Sequence, residues 1–158
     1  MNDSQTIFIG SEDPGSLDAR VLCDERSAYL AALTGESGQR GKADDDLRSI
    51  RARFVVARNA MGEAMGCGAI RRQSYRVAEL LRLYVRPQYR GLETVLLAYL
   101  EEEARLLGYQ MVCLVATPAE RSASLICEAS GYRRMLIDDC RFQPGDTVCF
   151  EKSLLDPA

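Results

Sequence analysis

Histidine is absent from all 158 residues of this chain. That absence removes Ser-His and Cys-His nucleophile pairs and takes away the commonest ligand of a catalytic zinc, so no metal is expected. Proton transfer must then use carboxylates, tyrosines, cysteines, lysines or water. A surplus of one charge is missing as well. The net charge of -3 and pI near 5.1 leave no electrostatic footprint for a nucleic-acid partner. Arg71-Arg72 and Arg133-Arg134 are isolated basic pairs and read as solvated strand ends. Long apolar runs are also lacking. Met111 to Ala116, the longest uncharged one, is far too short to cross a bilayer, so no membrane partner is expected. The opening MNDSQTIFIG has no basic region followed by an apolar core, as a secretory signal would, and a cytoplasmic location follows as the default.

The six cysteines, at positions 23, 67, 113, 127, 140 and 149, contain no C-x-x-C pair. They lie singly in apolar stretches and are expected to pack mostly as small free hydrophobes. With 47% hydrophobic and 27% charged residues the composition is that of an ordinary globular domain. The length fits one domain spanning 1–158, without repeats or a long linker.

Along the chain, Thr6 to Ile9 reads as a short strand. Pro14-Gly15-Ser16 opens a helix from about Leu17 to Leu33, with Leu17, Val21, Leu22, Leu30 and Leu33 on its apolar side. Thr34 to Gly41 is a polar loop, and Asp44 to Ile50 a short helix opened by acidic residues. Arg53 to Arg58, Ala64 to Arg72 and Arg76 to Arg86 form an antiparallel meander.

A helix near 92–107 follows, with Leu92, Val95, Leu96, Tyr99, Leu100, Leu106 and Leu107 on one face and Glu101 to Glu103 and Arg105 away from it. Gly108 ends it, and Met111 to Thr117 is nearly all apolar, as a strand covered on both faces should be. Thr117-Pro118-Ala119-Glu120 reads as a capping box with proline at the first helical position. After Gly131 the chain closes in a hairpin, Tyr132 to Ile137, a Pro144-Gly145-Asp146 turn, and Val148 to Ser153. The fold class is therefore mixed α/β, and a right-handed crossover makes the 80–86 and 110–116 strands parallel neighbours.

The order of these elements, with AELLRLYV-RP-x-YRG from Ala78, the later EASGY and the closing VCFEKSL, resembles the GNAT superfamily of N-acetyltransferases along nearly the whole chain. The resemblance implies an acetyl-CoA-dependent transfer to a small-molecule amine, and it leaves a homodimer open. It also implies a gap between two central strands, where the pantetheine of acetyl-CoA bonds to the backbone of Leu83, Tyr84 and Val85. The pyrophosphate would rest on the loop Tyr89, Arg90, Gly91, Leu92, Glu93 and Thr94, at a helix N-terminus whose unpaired N–H groups suit an anion.

Two positions depart from the family pattern. The loop is shorter and keeps only Gly91, and Glu93 adds a carboxylate that at 4 Å from a phosphate would cost about 4 kcal/mol. Glu93 is then either a plain helix-start residue or the sign of a site that holds pyrophosphate poorly. Cys127 stands where the family commonly carries a tyrosine that protonates the departing thiolate. It is either a short general acid or a buried small hydrophobe.

Glu79 matches the carboxylate that family members place to take the amine's proton through water. Strand alternation groups it with Leu81 and Leu83. It is either this base, with a pKa raised by an apolar pocket, or a partner in a salt bridge to Arg71, Arg72 or Arg82. The two functional expectations are an N-acetyltransferase, with Glu79 or water as base and the Val85 amide polarising the thioester carbonyl, and a GNAT-fold binding or regulatory module with weakened CoA affinity.

Overall fold

The computed structural model describes residues 6–35, 47–117, 120–135 and 148–155. Their elements are β1 (Phe8–Ser11), α1 (Leu17–Thr34), β2 (Arg53–Arg58), β3 (Ala64–Arg72), β4 (Val77–Val85), a single 3-10 turn (Pro87–Tyr89), α2 (Glu93–Leu106), β5 (Met111–Ala116), α3 (Arg121–Ala129), β6 (Arg133–Arg134) and β7 (Val148–Ser153). The strands form one sheet in the order β1-β2-β3-β4-β5-β7-β6. Every pairing is antiparallel except that of β4 with β5, which is parallel. The mixed α/β architecture expected from the sequence is the one observed.

Two apolar cores lie on opposite faces of this sheet. One gathers Leu92, Leu96, Leu97, Leu100 and Ala104 of α2 and Cys127 of α3 over Val55, Ile70, Ala78, Leu80, Val112 and Phe150. The other sets Ala19 and Leu22 of α1 on Phe54, Val56, Cys67 and Ala69. Burying side chains on both faces is what requires β3 and β5 to be apolar nearly throughout, and their burial shows it. Ser16 caps α1 by accepting from the Ala19 N–H at 3.2 Å, and Gly35 ends it in a left-handed conformation at φ 81°.

Several expectations shift. β1 starts at Phe8 rather than Thr6. The parallel pairing covers Val77 to Leu80 against Met111 to Leu114, earlier in β4 than 80–86. Residues 47–50 are a short turn, and Asp44 lies outside the described residues, as do Ile137 and the Pro144-Gly145-Asp146 turn. On α1, Leu22 and Leu30 are buried but Leu17, Val21 and Leu33 face solvent, because the buried stripe runs instead through Ala19, Leu22 and Leu30. On α2, Glu101 is buried rather than turned away. It accepts from the Tyr132 hydroxyl at 2.8 Å and from Lys152 Nζ at 3.0 Å, which satisfies the carboxylate inside the core.

α3 begins at Arg121, a turn later than the capping box implied. Glu120 Oε2 still accepts from the Thr117 N–H at 2.8 Å, so the glutamate's half of the box is present. Cys23, Cys67, Cys113 and Cys127 are free thiols, as expected, whereas Cys149 is disulfide-bonded.

Candidate active site

The two central strands part company midway. Pairing between β4 and β5 ends at Leu80 with Leu114, yet β4 runs on to Val85 and β5 to Ala116. What diverts β4 is a bulge. Arg82 has φ 57°, rare for a residue with a side chain, and the β3–β4 register slips between Cys67 and Ala69. An extra residue in one strand bends it and increases its twist, which opens a wedge beside the undisturbed β5.

The bulge also resets which side chains face which side. Ala78 and Leu80 join the core under α2, while Leu81 packs against the core under α1. Past the bulge, Leu83 and Val85 lie on the α2 side and Tyr84 on the α1 side. Leu83 therefore does not share a face with Glu79 and Leu81, as simple alternation predicts. The Arg86 N–H bonds the Met65 carbonyl at 2.9 Å, so the alternation of an antiparallel ladder turns the Val85 N–H away from β3 and into the wedge.

Glu79 projects to the α1 face and is held there by an ion pair. Arg71 Nε and Nη2 reach its Oε1 at 2.9 and 2.7 Å. Of the sequence's two readings of Glu79, the ion pair is present, and Arg71 is the partner among the three arginines considered. Both contacts fall on one oxygen. Tyr84 and Arg86 are tied to α1 through Glu25, whose Oε1 accepts from the Tyr84 hydroxyl at 3.2 Å and whose Oε2 lies 2.8 Å from Arg86 Nη2. The Arg86 contact, followed by the Tyr84 hydroxyl, holds the Glu25 carboxyl below its usual range.

At the head of α2 the chain passes through the Pro87–Tyr89 turn to Gly91, whose φ of 102° only glycine adopts without strain. The Gly91 N–H donates to Glu93 Oε1 at 2.8 Å. The carboxylate that looked out of place thus sits on the amide that would otherwise meet a phosphate. Tyr89 packs against the α2-side core and its hydroxyl receives Asn59 Nδ2 at 3.4 Å. Arg90 and Thr94 flank Gly91, and the Thr94 hydroxyl donates to the Gly91 carbonyl at 3.3 Å. Leu92 is buried under the helix start.

Cys127 is 1% exposed, deep in the α2-side core, and burial pushes its thiol up to about 11. A thiol that weakly acidic is a poorer proton donor than ordinary water-exposed thiols. The buried-hydrophobe reading describes it.

Sequence reasoning missed the α1 side of the wedge. Arg82 Nη1 lies 3.9 Å from Cys23 Sγ, and Cys67 Sγ is 3.4 Å from the Arg82 carbonyl. Cys23 is brought down to about 7, chiefly by its hydrogen bond with Cys67, with the Arg82 charge adding to it against the opposing effect of burial. The signal was available in the helical spacing, because Cys23, Arg26 and Ser27 fall on the same stripe as Ala19, Leu22 and Leu30.

The model of the acetyltransferase (GNAT) family matches residues 21–132. Comparison with curated proteins finds no match. Among solved structures, a Klebsiella pneumoniae protein assigned as an acyl-CoA N-acyltransferase is 26% identical, over 94% of this chain and 98% of its own, with a TM-score of 0.79. A GNAT-family acetyltransferase from Staphylococcus aureus shares 19% identity over 95% and 100% of the two chains, with a TM-score of 0.71. Spermidine N-acetyltransferase from Vibrio cholerae, solved with CoA and spermine, shares 16% over 94% and 95%, with a TM-score of 0.68. These last two likenesses are of fold.

Proposed function

Because the chain belongs to the acetyltransferase (GNAT) family, we propose that it transfers the acetyl group of acetyl-CoA to a primary amine of a small molecule, by direct attack in a ternary complex. The observation that carries this reading is the wedge. β4 outruns its pairing with β5 and presents backbone groups of Leu83 to Val85 that no strand pairs on the β5 side among the described residues. Main chain left unpaired inside a sheet calls for a partner of extended shape bearing amides, and pantetheine has both properties.

In this reading the donor's pantetheine lies along Leu83, Tyr84 and Val85, and the Val85 N–H polarises the thioester carbonyl where negative charge develops. The amine approaches from the α1 face, where Glu79 projects. Glu79 accepts the amine's proton through a chain of waters along β4, on the oxygen that Arg71 leaves open, and Arg71 fixes the carboxylate's orientation. The departing thiolate takes its proton from solvent, since Cys127 is sealed in the core. The loop from Tyr89 to Thr94 receives the pyrophosphate only after Glu93 lets go of the Gly91 amide, so affinity for acetyl-CoA is weakened rather than absent.

That same contact favours a second reading, a GNAT-fold binding module whose phosphate site is self-occupied. Calorimetric titration with acetyl-CoA and thiol release across an amine panel separate the two. The enzyme reading expects a measurable dissociation constant and amine-dependent thiol release. Neither signal in purified protein would leave the binding-module reading standing.

A further inference from the structure

The sheet-facing stripe of α1 is polar in its middle. Ala19, Leu22 and Leu30 are buried in the ordinary way, but between them Cys23 meets Arg82 of the β4 bulge, and Arg26 and Ser27 share its helix face. Arg26 is half-buried and makes no hydrogen bond or ion pair among the described residues. Burying a guanidinium without a counter-ion costs free energy, and natural proteins seldom tolerate it without a use. Its charged surroundings are the Glu120 carboxylate, the Arg82 guanidinium and the Cys23 and Cys67 thiols. Cys23, three residues before Arg26 on this helix face, lies 3.9 Å from Arg82 Nη1 of β4, so the face that carries Arg26 stands beside the bulge. Glu120 itself is committed to Thr117, whose N–H and hydroxyl both reach its Oε2.

A second observation is independent of charge. Ser27 Oγ is buried and has no hydrogen-bond partner. Such a hydroxyl in a helix normally bonds its own backbone or a neighbour, and an orphaned one asks for a ligand. It lies four residues after Cys23 and Arg26 lies three after it, so the two donors flank that thiol on one helix face. Two donors without partners among the described residues, one of them cationic, on the helix face that covers the bulge, suit a carboxylate.

We infer that Arg26 and Ser27 bind a carboxylate carried by the acceptor, so that the substrate class is amino acids or other amino-carboxylic acids rather than polyamines. This rests on the acetyl-transfer reading and narrows it. In the absence of acceptor, the hydrogen bond with Cys67, and after it the charges of Arg82 and Arg26, favour the Cys23 thiolate. A bound carboxylate offsets the Arg26 contribution and makes Cys23 less reactive.

The test uses the full chain with amino acids, their carboxamides as matched controls, and spermidine. Thiol release from acetyl-CoA should favour at least one amino acid over its amide by about tenfold or more in kcat/KM. Arg26→Gln should collapse that ratio, chiefly through KM, with the acetyl-CoA dissociation constant unchanged, and Arg26→Lys should restore part of it. Alkylation of Cys23 near pH 7.5, followed by mass spectrometry, should be slowed by the amino acid and not by its amide.

Amides or spermidine used equally well, or a ratio that survives Arg26→Gln, overturn the inference. If no amine is acetylated, the transfer reading fails separately and the alkylation arm decides alone. No protection by any carboxylate-bearing amine then overturns the carboxylate site.

Discussion

In the proposed acetyl transfer, Glu93 is one residue on which cofactor affinity turns. Its carboxylate holds the Gly91 amide at 2.8 Å, so a pyrophosphate bound at that amide must displace it and then tolerate its charge. Glu93→Gly should therefore tighten acetyl-CoA binding in calorimetry, by an amount that shrinks with added salt as like-charge repulsion is screened. An unchanged dissociation constant would mean that this loop does not face the phosphates. Glu79 lies in the paired stretch of β4 before the wedge opens, and the acetyl-transfer proposal gives it the role of base. Glu79→Gln should lower turnover by roughly a hundredfold to ten-thousandfold, the usual cost of losing a general base, with acetyl-CoA affinity nearly intact. Since the variant also breaks the pair with Arg71, its melting temperature is the control. A loss of activity that tracks loss of folded protein would point to a structural role alone.

At the scale of elements, the bulged β4 and its neighbour β3 decide whether the wedge exists. Gly66 lies opposite Val85, and a Cβ there would meet the Tyr84 carbonyl oxygen at 2.6 Å. The obstacle is backbone and cannot swing aside. Gly66→Ala should destabilise the protein by about 1–3 kcal/mol, seen as a lower urea midpoint. It should weaken acetyl-CoA binding as well, because separating β3 from β4 moves Leu83 to Val85. An alanine variant of wild-type stability would show that β4 shifts freely, and the wedge would then not be held by this packing.

For the whole molecule, the paired thiols set a pH dependence. Cys23 has a folded value of about 7, below its ordinary 9.0, so its contribution to stability is complete above 9.0 and is lost as pH falls through 7. Cys67 moves the other way, raised by its bond to Cys23 and by burial, and favours the fold only while it stays protonated. Cys127, pushed up to about 11, contributes below 9.0 and loses that contribution as pH rises through 11. Stability should therefore rise between pH 7 and 9, and Cys23→Ser should remove that rise. Equal slopes for the two proteins in urea titrations at those pH values would contradict the thiolate assignment.

Alternation and turn chemistry along the chain determined most of the architecture. The meander, the α2 periodicity and the apolar β5 each follow from local rules, and the sheet order follows from the crossover. The ion pair of Glu79 with an arginine across the sheet was legible too, as one of its two readings. What only the tertiary structure decided is where those patterns break. The positive φ of Arg82 reverses the faces of everything after Leu81, and no period-2 reading contains a bulge. Arg71 rather than Arg72 or Arg82 holds Glu79 because the β3–β4 register sets Arg71 directly opposite it. The weak amphipathicity of α1 hid its buried stripe. The spacing of Cys23, Arg26 and Ser27 puts them on the stripe of Ala19, Leu22 and Leu30, but only packing against the bulged strand turns that stripe inward, since burial of a polar group is a property of the packed pair of elements and not of either alone.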